Sequence, residues 1–392
     1  MDVTFLLGAG ISIKAGVPST KKLTDAILGD DGFYMHTSQE VLHRKNNPEN
    51  YCLWRDETRL IQEYLSSLRR LGAESLGVAE EQLSYEDVYY VAEQVCDQCR
   101  AVQYNGRRNP LTQAFFKDLR QRLPPLGDDF DFQKPLRFVR GALAFLLRAN
   151  GGTEKLEYLR VFRKMLEDKD VARSHIFTLN HDHVLEDYLD RQSSGERKVY
   201  FDGLLGPDGC FDRLDVGAYS TREERILLWK LHGSMNWFRW HEASGGPSRF
   251  VGRLNRSVSH DHVLHRNSQS EPYDPSVEGP ALLVGTLNKA AQYIWEPFLD
   301  LFLSFRDRLK QTDRLLVCGH SFGDQAILTT LTGWLGEDQG RQVLAIGPNP
   351  DSVKSNLEFV GFREQFHVCK GTIETLGWNV AKRFFGSGEL PQ

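Results

Sequence analysis

The chain has 392 residues, a net charge of -5 and 40% hydrophobic residues. That length exceeds an ordinary single domain, and the weak acidity argues against a general nucleic-acid or lipid-surface binder. Mean hydropathy is -0.43 and no run approaches the ~20 apolar residues of a membrane span, while six scattered cysteines suit a reducing cytoplasm better than a disulfide framework.

Residues 3–7 read VTFLL, an apolar strand, followed by Gly8, Gly10 and Gly16 and then by Pro18, Ser19 and Thr20 ahead of the amphipathic KKLTDAIL. Strand, glycine loop and helix is the order in which α/β proteins bring backbone amides to a phosphate. MDVTFLLGAG has no basic start and no cleavage region, so it reads as a buried strand rather than a signal peptide. From 31 to 171 apolar residues recur at three and four, as in ETRLIQEYLSSLRRL and KPLRFVRGALAFLLRAN, which predicts an inserted helical layer. Cys96 and Cys99 form the one CxxC pair, inside a helical pattern, and without a second pair they read as helix cysteines rather than zinc ligands.

Beyond 172, short β-rich runs return: HIFTLN, KVYFDGL, ILLWKLHG, ALLVGTL, RLLVCGHS, QVLAIGP and FHVCKG. Helical runs follow several of them, notably AQYIWEPFLDLFLSFRDRLKQ, DQAILTTLTGWLG and PDSVKSNLEFV. The polar stretch at 255–280 reads as a surface loop. Alternating strands and helices imply an α/β fold with a mostly parallel central sheet covered by helices on both faces. The division is then 1–30 plus 172–392 as the sheet domain, interrupted by the helical insertion 31–171.

In open parallel sheets, ligands sit beyond the carboxyl ends of the strands. Those ends carry GAGIS, TLNHD, LHGSMNW, CGHSFGD and GPNPD. Asn180 with Asp182, His232 with Asn236, and Ser321 with Asp324 are expected to converge there with the glycine loop. Taken singly, Asn180, Asp182 and Asp324 have a second reading as helix caps, and His232 as a turn histidine.

These same residues carry a family resemblance. GAGISIKAGVP resembles the nucleotide-binding opening of the sirtuin superfamily, TLNHD its Asn-x-Asp motif, and KLHGSMNW the strand end that presents the catalytic histidine. LLVCGHSFGD is similar to the bacterial sirtuin-like branch, where the deacetylating branch has Gly-Thr-Ser. The resemblance implies a Rossmann-like fold and NAD as substrate. It implies NAD contacts from Gly8, Ala9, Gly10, Ser12, Ala15, Gly16, Pro18, Gly319, His320, Ser321 and Asp324, and adenosine contacts from Asn349 and Thr372. The lone CxxC pair, and Ser19, Thr20 and Lys21 where deacetylases carry Asp-Phe-Arg, depart from the deacetylase pattern. The resemblance therefore points to NAD-consuming enzymes of anti-phage defence that act by abortive infection and to a HerA-type ATPase as partner, while the insertion's helical runs YEDVYYVAEQV and PLRFVRGALAFLLRA carry more apolar surface than one sheet face can cover and so predict a homo-oligomer. No metal, no membrane and no direct nucleic-acid contact are expected.

The chemistry can be argued on the residues. The amides of Gly8 to Ser12 and the following helix terminus are suited to a pyrophosphate. Asn180 can bind the ribose or orient water, Asp182 can hold the carboxamide, and His232 can take a proton near neutral pH. Water as acceptor gives nicotinamide and ADP-ribose. The alternatives are a non-catalytic NAD- or ADP-ribose-binding regulatory subunit and, below it, a protein deacylase. Three further patterns rank lower still: His260, His262 and His265 as metal ligands, His181 and His183 as an HxH metal pair, and GHSFG as a nucleophile elbow pairing Ser321 with His367.

Overall fold

The computed structural model describes residues 1–29, 32–35, 41–43, 48–103, 110–122, 130–150, 155–193, 198–208, 211–242, 250–254, 273–275, 279–357 and 364–390. At its centre, β1 (Asp2–Leu7) lies between β4 (Arg173–Thr178) and β12 (Arg314–Cys318), parallel to both. β-branched and aromatic residues suit a strand buried on both faces, and Val3 to Leu7 are all buried. The full seven-stranded sheet has the order β14-β13-β12-β1-β4-β8-β5, where β5 is Tyr200–Phe201, β8 Ile226–Lys230, β13 Gln342–Gly347 and β14 Phe366–Lys370. Every pairing in it is parallel.

The period of two along each strand divides the core. Val3, Phe5, Leu7, Ile176, Leu228, Leu316 and Leu344 face one layer of helices. That layer holds α1 (Thr20–Leu28), α2 (Pro48–Leu76), α3 (Tyr85–Gln103), α4 (Pro110–Arg122), α5 (Gln133–Asn150) and α6 (Arg160–Glu167). Leu6, Phe177, Leu227, Trp229, Leu315, Val317 and Val343 face the other, which includes Phe298–Lys310 and Gln325–Glu337. The α/β reading with helices on both faces therefore holds.

Several sequence expectations need correction. The glycine loop does not run straight into a helix: two 3₁₀ turns, Ala9–Ile11 and Ile13–Ala15, intervene, and α1 begins at Thr20 with Ser19 as its cap. The region read as helical contains a hairpin of β2 (Phe33–Met35) and β3 (Val41–His43), whose Phe33 packs on Phe145 of α5. A second, antiparallel sheet went unread; its order is β11-β9-β10-β7-β6, from β6 (Leu204–Asp208), β7 (Phe211–Leu214), β9 (Trp237–Glu242), β10 (Phe250–Leu254) and β11 (Tyr273–Pro275). β11 lies inside the stretch taken for a surface loop. KVYFDGL is shared between the two sheets, because Gly203 turns the chain with φ +81.

ALLVGTL forms no strand of either sheet. Its amides at Ala281 and Leu283 donate to Trp237 and His232 carbonyls, making a single bridge at Leu282. The long helix expected over AQYIWEPFLDLFLSFRDRLKQ is two, α8 (Lys289–Gln292) and α9 (Phe298–Lys310), divided before Pro297, whose ring leaves no N–H for a helical bond. The remaining helices are α7 (Val184–Gln192), α10 (Gln325–Glu337), α11 (Pro350–Leu357) and α12 (Ile373–Ser387).

Candidate functional site

The chain leaves β1 toward β4 on one side and β12 on the other, so the order reverses between β1 and β12. Such a switch point opens a crevice at the carboxyl edge of the sheet. Here the two loops meet backbone to backbone. The Gly8 amide donates to Cys318 O at 2.9 Å and the Gly10 amide to Gly319 O at 2.9 Å. A Cβ at Gly8 would stand 2.6 Å from Gly319 O, and one at Gly319, where φ is +70, 2.5 Å from Ile11 N. The amides of Ile11 and Ser12 donate to Gly8 and Ala9 carbonyls. Four of the five amides assigned to a phosphate are thus donated within the protein, and the glycines serve loop packing in their own right. Ala9, Gly10 and Gly16 lie on the surface of this turn, while Ala15 is buried and Tyr158 Oη donates to Ile11 O from beneath.

At the end of β4, Asn180 and Asp182 join the turn through Ser12. Asn180 Nδ2 donates to Ser12 Oγ, and Ser12 Oγ donates to Asp182 Oδ1, each at 3.0 Å. Asp182 Oδ1 also accepts the Val184 amide at 3.0 Å. Burial raises the Asp182 carboxyl above its ordinary range, against the pull of Lys230 and the Val184 amide. Lys230, the last residue of β8, is 2% exposed; its Nζ donates to Asp182 O and to Glu186 Oε1, both at 2.6 Å. Sequence reasoning passed over Lys230, although a charge inside the apolar run ILLWKL was a signal that a buried partner awaits it.

His232, just past β8, is buried, and its Nε2 lies 3.0 Å from Asp324 Oδ2, within ion-pair distance but off the angles of a hydrogen bond. Burial holds the imidazole below its usual pKa, opposed by Asp324. Asp324 is itself buried, which would raise its carboxyl, but His232, Lys289 and the Ile327 amide together hold it low. His181 stands with its ring 6.1 Å from that of His232, and Tyr293 with its ring at 5.9 Å. His320 is held by burial at about 4. Ser321 is exposed on the turn between them, and Phe322 is bent to φ +62, a rare conformation for a side chain of that size.

Several buried polar atoms collect at this edge. Asn180 Oδ1, His181 Nδ1, Asn236 Oδ1 and His320 Nε2 are buried with no hydrogen-bond partner among the described residues. Each such group costs roughly 1–3 kcal/mol when left unpaired, and a concentration of them marks a place where a ligand is expected to supply partners. Asn349 and Thr372 follow β13 and β14 on the far side of the switch point; both are exposed, and Thr372 caps α12 through a bond from the Thr375 amide at 3.3 Å. Pro18 is half-buried in the approach to α1.

The lower-ranked patterns fall elsewhere. His181 and His183 diverge, the latter meeting Ser234 Oγ at 3.0 Å. His367 lies inside β14, paired with Leu344, rather than on a strand-end loop. His260, His262 and His265 lie outside the described residues. Among the described residues no cluster of three or more His, Cys, Asp or Glu side chains is arranged to hold a metal ion. No helix among them is long and apolar enough to cross a membrane.

Residues 174–360 match the family model described as the SIR2-like domain. Among solved structures, the crystal structure of a SIR2 homolog–NAD complex aligns with 97% of this chain and 88% of its own, at 11% identity and a TM-score of 0.37. No curated protein matches the chain.

Proposed function

We propose that the protein hydrolyses NAD to nicotinamide and ADP-ribose. The observation that carries this reading is the carboxyl edge just described, which lies largely within the SIR2-like segment: unpartnered buried polar atoms gather beside a histidine kept neutral by burial. NAD supplies what those atoms lack. Its carboxamide has both donor and acceptor, matching Asn180 Oδ1 and the surroundings of Asp182, and its ribose hydroxyls can donate to the remaining acceptors.

In the proposed reaction, the bond between the ribose C1′ and the nicotinamide nitrogen breaks with its electron pair going to the ring, which leaves as neutral nicotinamide. Water adds at C1′ and loses a proton to His232, which is unprotonated at neutral pH and so able to accept it. Asn180 orients the water or the ribose. The balance is NAD plus water to nicotinamide, ADP-ribose and a proton. In this reading the 31–171 segment controls access to the edge and self-association, and NAD depletion in anti-phage defence with a HerA-type ATPase partner belongs to the same proposal on the strength of motif resemblance.

The test is to incubate the purified protein with NAD and separate the products by chromatography. Nicotinamide and ADP-ribose in equal amounts without any peptide support the reading. NAD bound but intact supports the regulatory alternative, and turnover only with an acylated peptide supports a deacylase.

A further inference from the structure

We propose that Asp324 is a positioning residue for His232, so that the two act as a carboxylate–imidazole pair; this rests on the NAD-hydrolysis reading of the same edge. As a helix cap Asp324 needs one oxygen, and Oδ1 fills that role alone, accepting the Ala326 amide at 3.0 Å and the Ile327 amide at 3.1 Å. Capping leaves Oδ2 unexplained. That oxygen is buried and lies 3.0 Å from His232 Nε2, with both side chains 4% exposed.

The path of the chain to this contact is costly. Two residues before Asp324, Phe322 adopts φ +62 and is 1% exposed, packed against Phe366 and His320. Strain of this kind persists only where the surroundings over-determine it, and it gathers at functional sites.

The chemical consequence is a choice of tautomer. A carboxylate opposite Nε2 favours the proton on that nitrogen, leaves Nδ1 with its lone pair, and fixes the ring plane. When His232 takes a proton from water, the same carboxylate stabilises the resulting imidazolium. The other groups facing His232 are Lys289 from α8, Glu86 from α3, His181 after β4, His320 after β12 and Tyr293. The two cation-forming histidines are held neutral by burial, so Asp324 and Glu86 are the anions that counter Lys289.

Asp324→Asn separates the roles, because Asn caps a helix as well as Asp does while carrying no charge. The expected result is a kcat about 10- to 100-fold lower, a KM for NAD within about threefold of the parent, and an acidic limb of the pH profile moved to lower pH. Nitrogen-15 NMR of His232 in the unliganded protein is the second readout: the Nε2–H tautomer dominates in the parent and is lost, with a lower titration midpoint, in Asp324→Asn. Asp324→Ser serves in its place if the first variant fails to fold. A His232 tautomer and midpoint indifferent to the substitution overturn the pairing, and so does a parent protein whose His232 carries its proton on Nδ1. If the parent does not turn over NAD, the hydrolase reading falls on product analysis, while the NMR arm still decides whether the pair exists.

Discussion

A methyl group at Gly10 would stand 2.8 Å from the Gly319 Cα, closer than packed atoms tolerate. Gly10→Val is therefore expected to damage folding before it damages any ligand contact, lowering the thermal midpoint by several degrees, since overpacking costs about 1–3 kcal/mol. Asn180 and His232 sit differently, because their neighbours are side chains that can adjust. Asn180→Ala leaves the Ser12–Asp182 bond in place, and His232→Gln keeps a polar group against Asp324. Both variants should retain a folded protein and measurable ADP-ribose binding by calorimetry, with NAD turnover reduced by about 10²-fold or more. Binding lost in parallel with turnover would return these residues to a structural role.

At the scale of elements, α3 reaches the sheet edge through α8. Glu93 holds Asn288 and Gln292, the latter at 3.0 Å, and Glu86 pairs with Lys289 at 3.0 Å. Burial raises the Glu93 carboxyl above its usual range, with both amide side chains opposing. The clamp fixes the segment that places Lys289 and Tyr293 against His232. Glu93→Ala should raise hydrogen exchange across 284–293 while β1, β4 and β12 stay protected, and should change NAD turnover at least threefold; exchange confined to α3 itself would show that the clamp does not reach the site. The apolar faces of α3 and α5, which suggested a surface for self-association, are consumed inward: Val88, Ala92 and Val95 are buried in one core with Phe138, Val139 and Ala142. Exposed large apolar residues gather instead at 287–303, including Ile294 at 66% and Trp295 at 59%. Light scattering of the purified chain tests the proposed oligomer.

The whole molecule carries buried histidines at both ends of its sheet. Burial lowers His175, on β4, to about 3 and His320, beyond β12, to about 4. Unfolding frees both to protonate near 6.5, so below that pH the unfolded chain binds more protons and stability falls. The loss begins as pH drops through about 6.5 and ceases to grow at about 4 for His320 and about 3 for His175. At pH 5 each contributes about 2 kcal/mol of lost stability. Urea midpoints measured from pH 7.5 to 5 should decline, and His175→Gln should flatten the decline. A profile level across that range would mean that His175 and His320 are protonated in the folded protein.

The local period of the chain was enough for the parallel strands, for most helices on either face, and for the polar residues at strand ends, because a doubly buried strand demands an unbroken apolar run and its carboxyl end is where polarity resumes. The second sheet escaped such reading: its strands carry no unbroken apolar run and, apart from β6 with β7, they pair across gaps in the chain, so that β11 with its Pro275 resembles a loop until β9 is beside it. The 3₁₀ turns after Gly8 were equally hidden, since nothing near Gly10 in sequence announces that Gly319 will press against it. Which strand-end residues touch was also a tertiary decision. Ser12 with Asn180 and Asp182, His232 with Asp324, and Glu86 with Lys289 are joined across the fold. Residue types and spacing determine what each strand end can offer, whereas the order of the strands in the sheet decides which offers meet.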